Sequence, residues 1–397
     1  MDASADPMIA NQAAEMLIRQ RSIKMIQNIY SQTVNPANTP VLYVQPRPVG
    51  LIIGFIVEVV ATLAQPDAAY ALTSFGPCNA IKQFVFQDLS NVTRIQTTGW
   101  HLHMINSAKG QIPYAAVRTN TAYPVAFGNT FGGNLAANQS QNVIQAAAVY
   151  DATHFAQGLQ MMYWVPMAYS MTDLRGAYYA NVVNANAQLQ LTINPTNQAF
   201  VGATADPINA VYQSTAGTTG AWGTSFTVNV YQVYYDQLPI ANGQPVLPQW
   251  SLAVIYDIKN SANPAVTANT DFPISYSNWR EFLSTVAIYD NPLNGVFPVA
   301  GSDVNYWALQ QANSTNILKY TPKYNALFAR SIMGDDPPTG VYYFDSRTKP
   351  ISTVQFGNQQ LVLNAASANA NAQVLVGFEA FSYQNTIVGA ASLSSGT

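Results

Sequence analysis

After Pro40 the chain is a succession of β-branched and aromatic runs, broken every 8 to 20 residues by clusters of Gly, Pro and Asn. That spacing suits strands and turns and leaves no room for crossover helices. Many short strands without long amphipathic helices between them form a sandwich or barrel, not a doubly wound sheet, so the fold class is all-β. The run Leu51 to Ala64 shows the period clearly. Its odd positions, Leu51, Ile53, Phe55, Val57, Val59, Ala61 and Leu63, are apolar, while the even positions include Gly54, Glu58 and Thr62. This is a strand with one fully buried face. The same run, 14 residues interrupted by Gly54 and Glu58, falls short of the roughly 20 apolar residues of a membrane helix. Gln188 to Ile193 and Ser225 to Val230 alternate strictly and read as half-buried strands.

A chain of 397 residues exceeds the roughly 250–300 at which a single core stops growing, which predicts two domains. The break falls between Leu238 and Pro248, where Pro239, Gly243, Pro245 and Pro248 cluster. The expected division is an N-terminal helical arm over 1–35, a first domain over 36–245, a second over 246–384 and a tail over 385–397. A faint echo between the halves pairs Ile81–Phe86, Asp88 and Trp100 with Thr285–Tyr289, Asp290 and Trp307. Gly128 to Gln145 and Pro195 to Gly223 contain few strand signals and read as extended surface loops.

Met8 to Tyr30 is the exception to the β pattern. Ile9, Ala13, Met16, Leu17, Ile23, Ile26 and Tyr30 recur at threes and fours, Asp6-Pro7 supplies a start, and Asn35, Pro36, Asn38 and Pro40 supply an end. These features predict an N-terminal amphipathic helix. Arg19, Arg21 and Lys24 outnumber Glu15 in it, a pattern that suits an anionic membrane or a partner surface as well as packing on its own domain. The N-terminus lacks a basic-then-apolar leader with a small-residue cleavage site, which predicts release by a route other than a secretory signal.

Hydrophobic residues make up 49% of the chain and charged residues only 9%, against about 25% charged in an ordinary domain. The surface is polar by amides: 35 Asn and 30 Gln stand against 35 charged side chains. Amides cost less to desolvate than ions when one surface closes over another, and aromatic residues, 12% here, are enriched in interface centres. Composition therefore points to permanent association, with a tightly packed solitary β protein as the alternative. A net charge of −3 and a pI near 5.5 provide no basic field for nucleic-acid phosphates, so no direct nucleic-acid contact is expected. Cys78 stands alone, which excludes an intramolecular disulfide and marks it as a core filler.

Little material for catalysis is present. The histidines are His101, His103 and His154. On a strand His101 and His103 would share a face, but no third ligand follows at a recognised spacing, so no metal site is expected. Asp335 and Asp336 precede Pro337 and Pro338, where paired carboxylates serve more often as turn formers than as acid and base. No nucleophile elbow, phosphate loop or dinucleotide fingerprint occurs, and no cofactor or catalytic residue is implied. The aromatic content leaves a carbohydrate-binding β-sandwich as the alternative function.

Several segments carry a family resemblance. They are Thr98-Gly-Trp-His-Leu-His103, Tyr163-Trp-Val-Pro-Met-Ala-Tyr-Ser-Met-Thr-Asp-Leu174, Val230-Tyr-Gln-Val-Tyr-Tyr-Asp-Gln-Leu-Pro239, Leu283-Ser-Thr-Val-Ala-Ile-Tyr-Asp-Asn291 and Gly340-Val-Tyr-Tyr-Phe-Asp-Ser-Arg-Thr-Lys-Pro-Ile351, with Gln355-Phe-Gly-Asn358 following. In this order they resemble the double jelly-roll major capsid proteins of tectiviruses, tailless double-stranded DNA phages with an internal membrane. The N-terminal segment is shorter and less Gln-rich than the family pattern, and the loops 128–145 and 195–223 do not match it. The resemblance implies two eight-stranded jelly rolls side by side and a pseudo-hexagonal homotrimer that tiles an icosahedral shell. It further implies contacts with neighbouring trimers, with vertex (penton) and minor capsid proteins, and, through the helix bearing Arg19, Arg21 and Lys24, with the inner viral membrane. The protein is expected to be made in the cytoplasm of a bacterial host and to reside in the virion. Deleting residues 1–31 is expected to leave a folded trimer that fails to assemble around membrane.

Overall fold

In a computed structural model the alternating segments form two sets of eight strands with identical neighbour relations. The structure describes residues 7–383 apart from 65–67, 74–75, 89–91, 110–142, 147–148, 151–158, 181–186, 203–207, 215–219, 265, 277–279, 291–302, 312–314, 334–340, 349, 353–358 and 369–371. In chain order the first barrel contains Ile23–Val34, Val41–Val44, Leu51–Ala64, Ile81–Gln87, Thr93–Thr97, Leu159–Pro166, Gln188–Ile193 and Ala221–Asp236. The second contains Val254–Pro264, Asp271–Ser275, Arg280–Asp290, Val304–Gln311, Thr315–Tyr320, Val341–Asp345, Gln359–Ala365 and Gln373–Tyr383. In both, strands one, eight, three and six make one sheet, in that order, and strands two, seven, four and five make the other. This is the jelly-roll pairing, twice.

Alternation explains why these segments pack. Phe55, Val57, Val59, Ala61 and Leu63 are buried in the barrel core along strand three of the first barrel, and Leu189, Leu191 and Ile193 along strand seven. A register shift opposite Val233 and Tyr234 reverses the faces at the start of strand three, so Ile52 joins that core while Leu51 and Ile53, expected on the same face as Phe55, pack with Ile18 and Trp164 instead. Phe55 meets Phe86 across the two sheets with ring centroids 5.7 Å apart. Cys78 is buried in the same core. The second barrel is filled by Trp307, Phe282, Leu361, Leu363, Val374 and Val376. Between the barrels runs the hairpin Ile240–Ala241 and Gln244–Pro245, whose turn residues Asn242 and Gly243 both have positive φ, 53° and 75°. That is the left-handed pair a two-residue hairpin requires.

The structure departs from the sequence reading in four further places. The N-terminal helix spans Pro7–Arg21 and not the whole of Met8 to Tyr30, because Ile23–Val34 is strand one of the first barrel. It pairs with strand eight from Ile23↔Asp236 to Val34↔Phe226. Ile23, Ile26, Ile29, Tyr30, Thr33 and Val34 are stronger strand formers than helix formers, and a long pairing partner outweighs their chance spacing. Second, the stretch Pro195 to Gly223 is no extended loop. Its described residues include the helix Thr196–Ala199 and the strands Phe200–Val201 and Tyr212–Ser214, which join Tyr70–Leu72 and Val149–Tyr150 in a small sheet. Phe200 stacks on Tyr212 at 5.6 Å and meets Trp222 edge-on at 5.1 Å, so three dispersed aromatics anchor a segment whose remaining residues look loop-like. Of 128–145, Val143–Ala146 begins a strand beside strand six of the first barrel, and 128–142 lie outside the described residues. Third, His101 and His103 lie on the helix Gly99–Ala108 and not on a strand. Fourth, the two echo segments are strand four of one barrel and strand three of the other, so the duplication is one of topology and those residues do not correspond.

Candidate assembly surfaces and the junction between barrels

The two barrels share a sheet. Strand five of the first runs parallel to strand one of the second, with Ile95 opposite Ile258 and Gln96 opposite Lys259. The helix Gly99–Ala108 follows strand five directly and is wedged at this junction, with Trp100, His101, Leu102, Met104 and Ile105 all buried. A Cβ on Gly377, in strand eight of the second barrel, would fall within the His101 ring. The other side of that ring is held by Thr97, whose Oγ1 lies 2.6 Å from Nδ1. Burial pushes His101 down to about 3 and His103 down to about 4, so both imidazoles are neutral near pH 7. Two residues apart on a helix, they do not share a face. Gly377→Ala is expected to cost about 1–3 kcal/mol through overpacking, read from a lowered urea midpoint. An unchanged midpoint would show that the junction yields at this contact.

Beside the histidine lies a buried charge pair. Lys109 reaches from the end of the helix to Glu379 on strand eight of the second barrel, Nζ to Oε1 2.7 Å, with the carboxylate fully buried. The ammonium also donates to Tyr256 Oη at 2.6 Å and to the Tyr169 carbonyl at 2.8 Å, and sits 4.3 Å and 4.6 Å from the Tyr169 and Tyr256 ring centroids. Ser284 donates to the other carboxylate oxygen at 2.6 Å, and Tyr256 donates to the first. Burial alone would raise the pKa of Glu379. The attraction of Lys109 and the donors converging from Lys109, Ser284 and Tyr256 outweigh it, so the carboxyl is held below its usual range. Every partner except Lys109 and Tyr169 belongs to the second barrel, so this cluster orients one barrel on the other.

The N-terminal helix docks near the start of the second barrel. Asn11 and Glu15 both bond Ser251: Asn11 Nδ2 donates to Ser251 Oγ at 2.8 Å, Ser251 N donates back to Asn11 Oδ1 at 3.2 Å, and Ser251 Oγ donates to Glu15. Burial raises the Glu15 carboxyl above its ordinary value. Ile18 is buried against Leu51, Trp164, Leu174 and Val233. The face carrying Met8, Ile9 and Met16 remains exposed, so the helix docks by its Asn11, Ala14, Glu15 and Ile18 side and presents its predicted apolar face outward. Arg19 and Arg21 occupy its last turn, exposed, where cations oppose the helix dipole favourably. Lys24 is not on the helix. It sits on strand one, exposed, with Nζ 3.5 Å from Met171 Sδ.

Two family models cover nearly all of these elements. The model described as P3 major capsid protein N-terminal matches residues 7–238, and that described as P3 major capsid protein C-terminal matches residues 253–395. The chain belongs to the P3 major capsid protein family. It is 39% identical over 389 residues to Major capsid protein P3 of Enterobacteria phage PRD1, which covers 98% of this chain and 94% of that protein. Among solved structures it resembles Sulfolobus Turreted Icosahedral Virus at TM-score 0.62 and 11% identity over 94% of both chains. It also resembles the PBCV-1 virus capsid at 0.54 and 11%, over 91% of this chain and 94% of that one. For the major capsid protein P2 from Bacteriophage PM2 the values are 0.50 and 9%, over 91% and 98%. At such identities these likenesses concern the double jelly-roll fold alone.

Family membership decides between the two functions left open by the sequence in favour of the coat subunit of a phage virion. Within this P3-family chain the quoted segments fall on structural landmarks: Thr98 to His103 opens the wedged helix, Tyr163 to Leu174 runs from strand six beneath it, and Val230 to Pro239 closes the first barrel. Asp335, Asp336 and Gln355 to Asn358 lie outside the described residues. Among the described residues no group of three or more His, Cys, Asp or Glu is placed to hold a metal ion. Lys109 and Glu379, 270 residues apart, were missed in the sequence. The one available signal is rarity, since Glu379 stands in a strand-like run, Val374 to Phe381, with no other charge.

Proposed function

We propose that this chain is the shell-building subunit of its virion, a homotrimer of pseudo-hexagonal outline whose copies tile an icosahedral shell around a membrane vesicle holding double-stranded DNA. The observation that carries this reading is the pair of like barrels joined edge to edge, which makes three chains equivalent to six barrels. In this reading the protein catalyses no reaction, is made in the cytoplasm of its bacterial host, and touches neighbouring trimers, vertex and minor capsid proteins. The arm is residues 1–21, since strand one already begins at Ile23. The first barrel runs to about 245, the second from 246 to 384, and the tail from 385 lies outside the described residues.

The arm is the part assigned to the membrane. Met8, Ile9 and Met16 are exposed beside Arg19, Arg21 and, just beyond the helix, Lys24, an apolar surface bordered by cations of the kind that settles on anionic lipid. Each basic side chain near such a surface contributes about 1 kcal/mol. Replacing Arg19, Arg21 and Lys24 together by Ala should therefore weaken flotation with phosphatidylglycerol vesicles by about two orders of magnitude, with the loss largest at low salt. Unchanged flotation would remove the membrane role. For the trimer, light scattering of the purified protein should read three times the chain mass of 43.0 kDa, independent of concentration.

A further inference from the structure

The hairpin between the barrels holds a reactive pair at its turn. Asn242 and Gly243 are the two residues between the pairs Ile240↔Pro245 and Ala241↔Gln244, and both are left-handed, with φ of 53° and 75°. A two-residue hairpin favours Asn-Gly because Asn tolerates that conformation and Gly adopts it without strain. The same choice sets a side-chain amide next to an unhindered peptide nitrogen. A Cβ built on Gly243 would meet nothing within 4 Å, and both residues are exposed. The paired residues of the hairpin are those that flank them, so the Gly243 N–H is not part of the ladder.

Other Asn residues that precede a small residue are protected by the fold. Asn106 precedes Ser107, but it lies buried on the helix Gly99–Ala108, with Nδ2 donating to the Trp164 carbonyl at 2.7 Å. Asn260 precedes Ser261 within the strand Val254–Pro264, where its Nδ2 donates to Thr98 Oγ1 at 3.1 Å. In both, the side-chain amide is tied and the following backbone is held in regular structure. Asn242 stands instead in an exposed turn.

We infer that Asn242-Gly243 is a self-modifying site, at which the folded chain deamidates with water as the co-reactant. The Gly243 nitrogen gives its proton to solvent base and attacks Asn242 Cγ. The new C–N bond closes a five-membered succinimide as the Cγ–Nδ2 bond breaks, and the nitrogen leaves as ammonia with a proton from solvent. Holding both reacting groups in one turn makes the attack intramolecular. Water then opens the ring. Addition at Cγ gives aspartate, and addition at the backbone carbonyl carbon gives isoaspartate, whose main chain runs through Cγ and is one methylene longer. One water enters and one ammonia leaves. Asp-Gly suits the same turn, so the first product keeps the hairpin, whereas the second lengthens the loop between Ala241 and Gln244. Either product makes the net charge of −3 more negative by one unit. The hairpin follows strand eight, which ends at Asp236 opposite Ile23, so the new carboxylate appears at the end of the first barrel where the N-terminal helix joins strand one.

The test incubates full-length protein at mildly alkaline pH and follows it by isoelectric focusing and peptide mass mapping. An acidic species should grow with time, faster at higher pH. Mapping should place the mass gain of amide-to-acid conversion on Asn242, in aspartate and isoaspartate forms, with Asn106 and Asn260 unchanged. The other Asn-Gly pair, Asn294-Gly295, is read in a separate peptide. Asn242→Gln should lose the signal at 242, because its longer side chain closes the ring less readily. The same protein unfolded in urea supplies the reference. A residue 242 that stays amidated in the folded protein while the unfolded chain converts would show that the hairpin protects the pair, and would overturn the inference. Conversion of Asn106 or Asn260 as fast as Asn242 would overturn it too, since the fold would then select no site.

Discussion

Replacing Glu379 by Ala is expected to lower the unfolding free energy by about 3–5 kcal/mol, because it leaves the Lys109 ammonium buried without its carboxylate. Lys109 Nζ keeps its bonds to Tyr256 and the Tyr169 carbonyl, but those are dipoles and do not neutralise it. The measurement is the urea midpoint and slope of the variant against wild type. Replacing both partners, Lys109→Met with Glu379→Leu, should recover most of the loss, since an apolar pair of similar volume needs no desolvation of charge. Recovery by the double variant separates lost pairing from lost packing. Asp173→Ala, which removes the partly exposed partner of Arg175 (side-chain exposures 29% and 27%), should cost no more than about 1 kcal/mol.

The same junction makes stability depend on pH in a defined direction. His101 and His103 titrate near 6.5 in the unfolded chain and at about 3 and about 4 in the fold. The unfolded chain therefore binds protons first as pH falls, and stability that is complete above 6.5 is lost progressively below it. One unit of depression corresponds to about 1.4 kcal/mol per group, so the two histidines together lose several kcal/mol by pH 4. Glu379, held below its ordinary 4.5, adds its share only below that value. A thermal midpoint that stays flat from pH 7 to 5 would contradict neutral burial of these rings.

Truncation is the second large effect. Removing residues 1–21 should leave the barrels folded, since the helix docks through Asn11, Ala14, Glu15 and Ile18 on Ser251 and on Leu51, Trp164 and Val233, residues held in place by the two barrels themselves. Removing residues 1–31 cuts away nine of the twelve residues of strand one, exposes the edge of strand eight from Asn229 to Asp236, and strips cover from Ile29 and Tyr30's neighbours in the first core. Aggregated or unfolded protein is expected for the longer deletion and a soluble, folded one for the shorter, read by circular dichroism and sedimentation. The expectation that residues 1–31 are dispensable for folding is thereby withdrawn, because its helix is in fact partly a strand. Equal behaviour of the two truncations would mean that strand one is not needed to close its sheet.

Much of the barrel architecture is legible in the amino-acid sequence. Phe55 to Ala64, Gln188 to Ile193 and Ser225 to Val230 alternate in sequence and alternate in burial, because a two-residue period means one buried face whatever the neighbour is, whereas Leu51 to Phe55 are buried on both faces. The excess of 65 amides over 35 charges likewise describes a surface meant to be covered without naming what covers it. The resemblance to the tectivirus capsid proteins rested on segments whose described residues include the wedged helix and strands of both barrels.

By itself, then, the amino-acid order determined the all-β class, the positions of most strands, the presence of two domains and a surface suited to permanent contact. Tertiary structure alone decided that Ile23–Val34 is a strand, that Phe200, Tyr212 and Trp222 fold a loop-like stretch, that Lys109 meets Glu379, and that the helix Pro322–Met333 is exposed at Tyr324, Leu327 and Phe328 where Gly99–Ala108 is buried. The physical reason is the range of the interactions. Periodicity reports which side of a segment is buried, a property of near neighbours, whereas strand pairing and a buried ion pair depend on residues up to 270 positions away, whose approach no local pattern encodes.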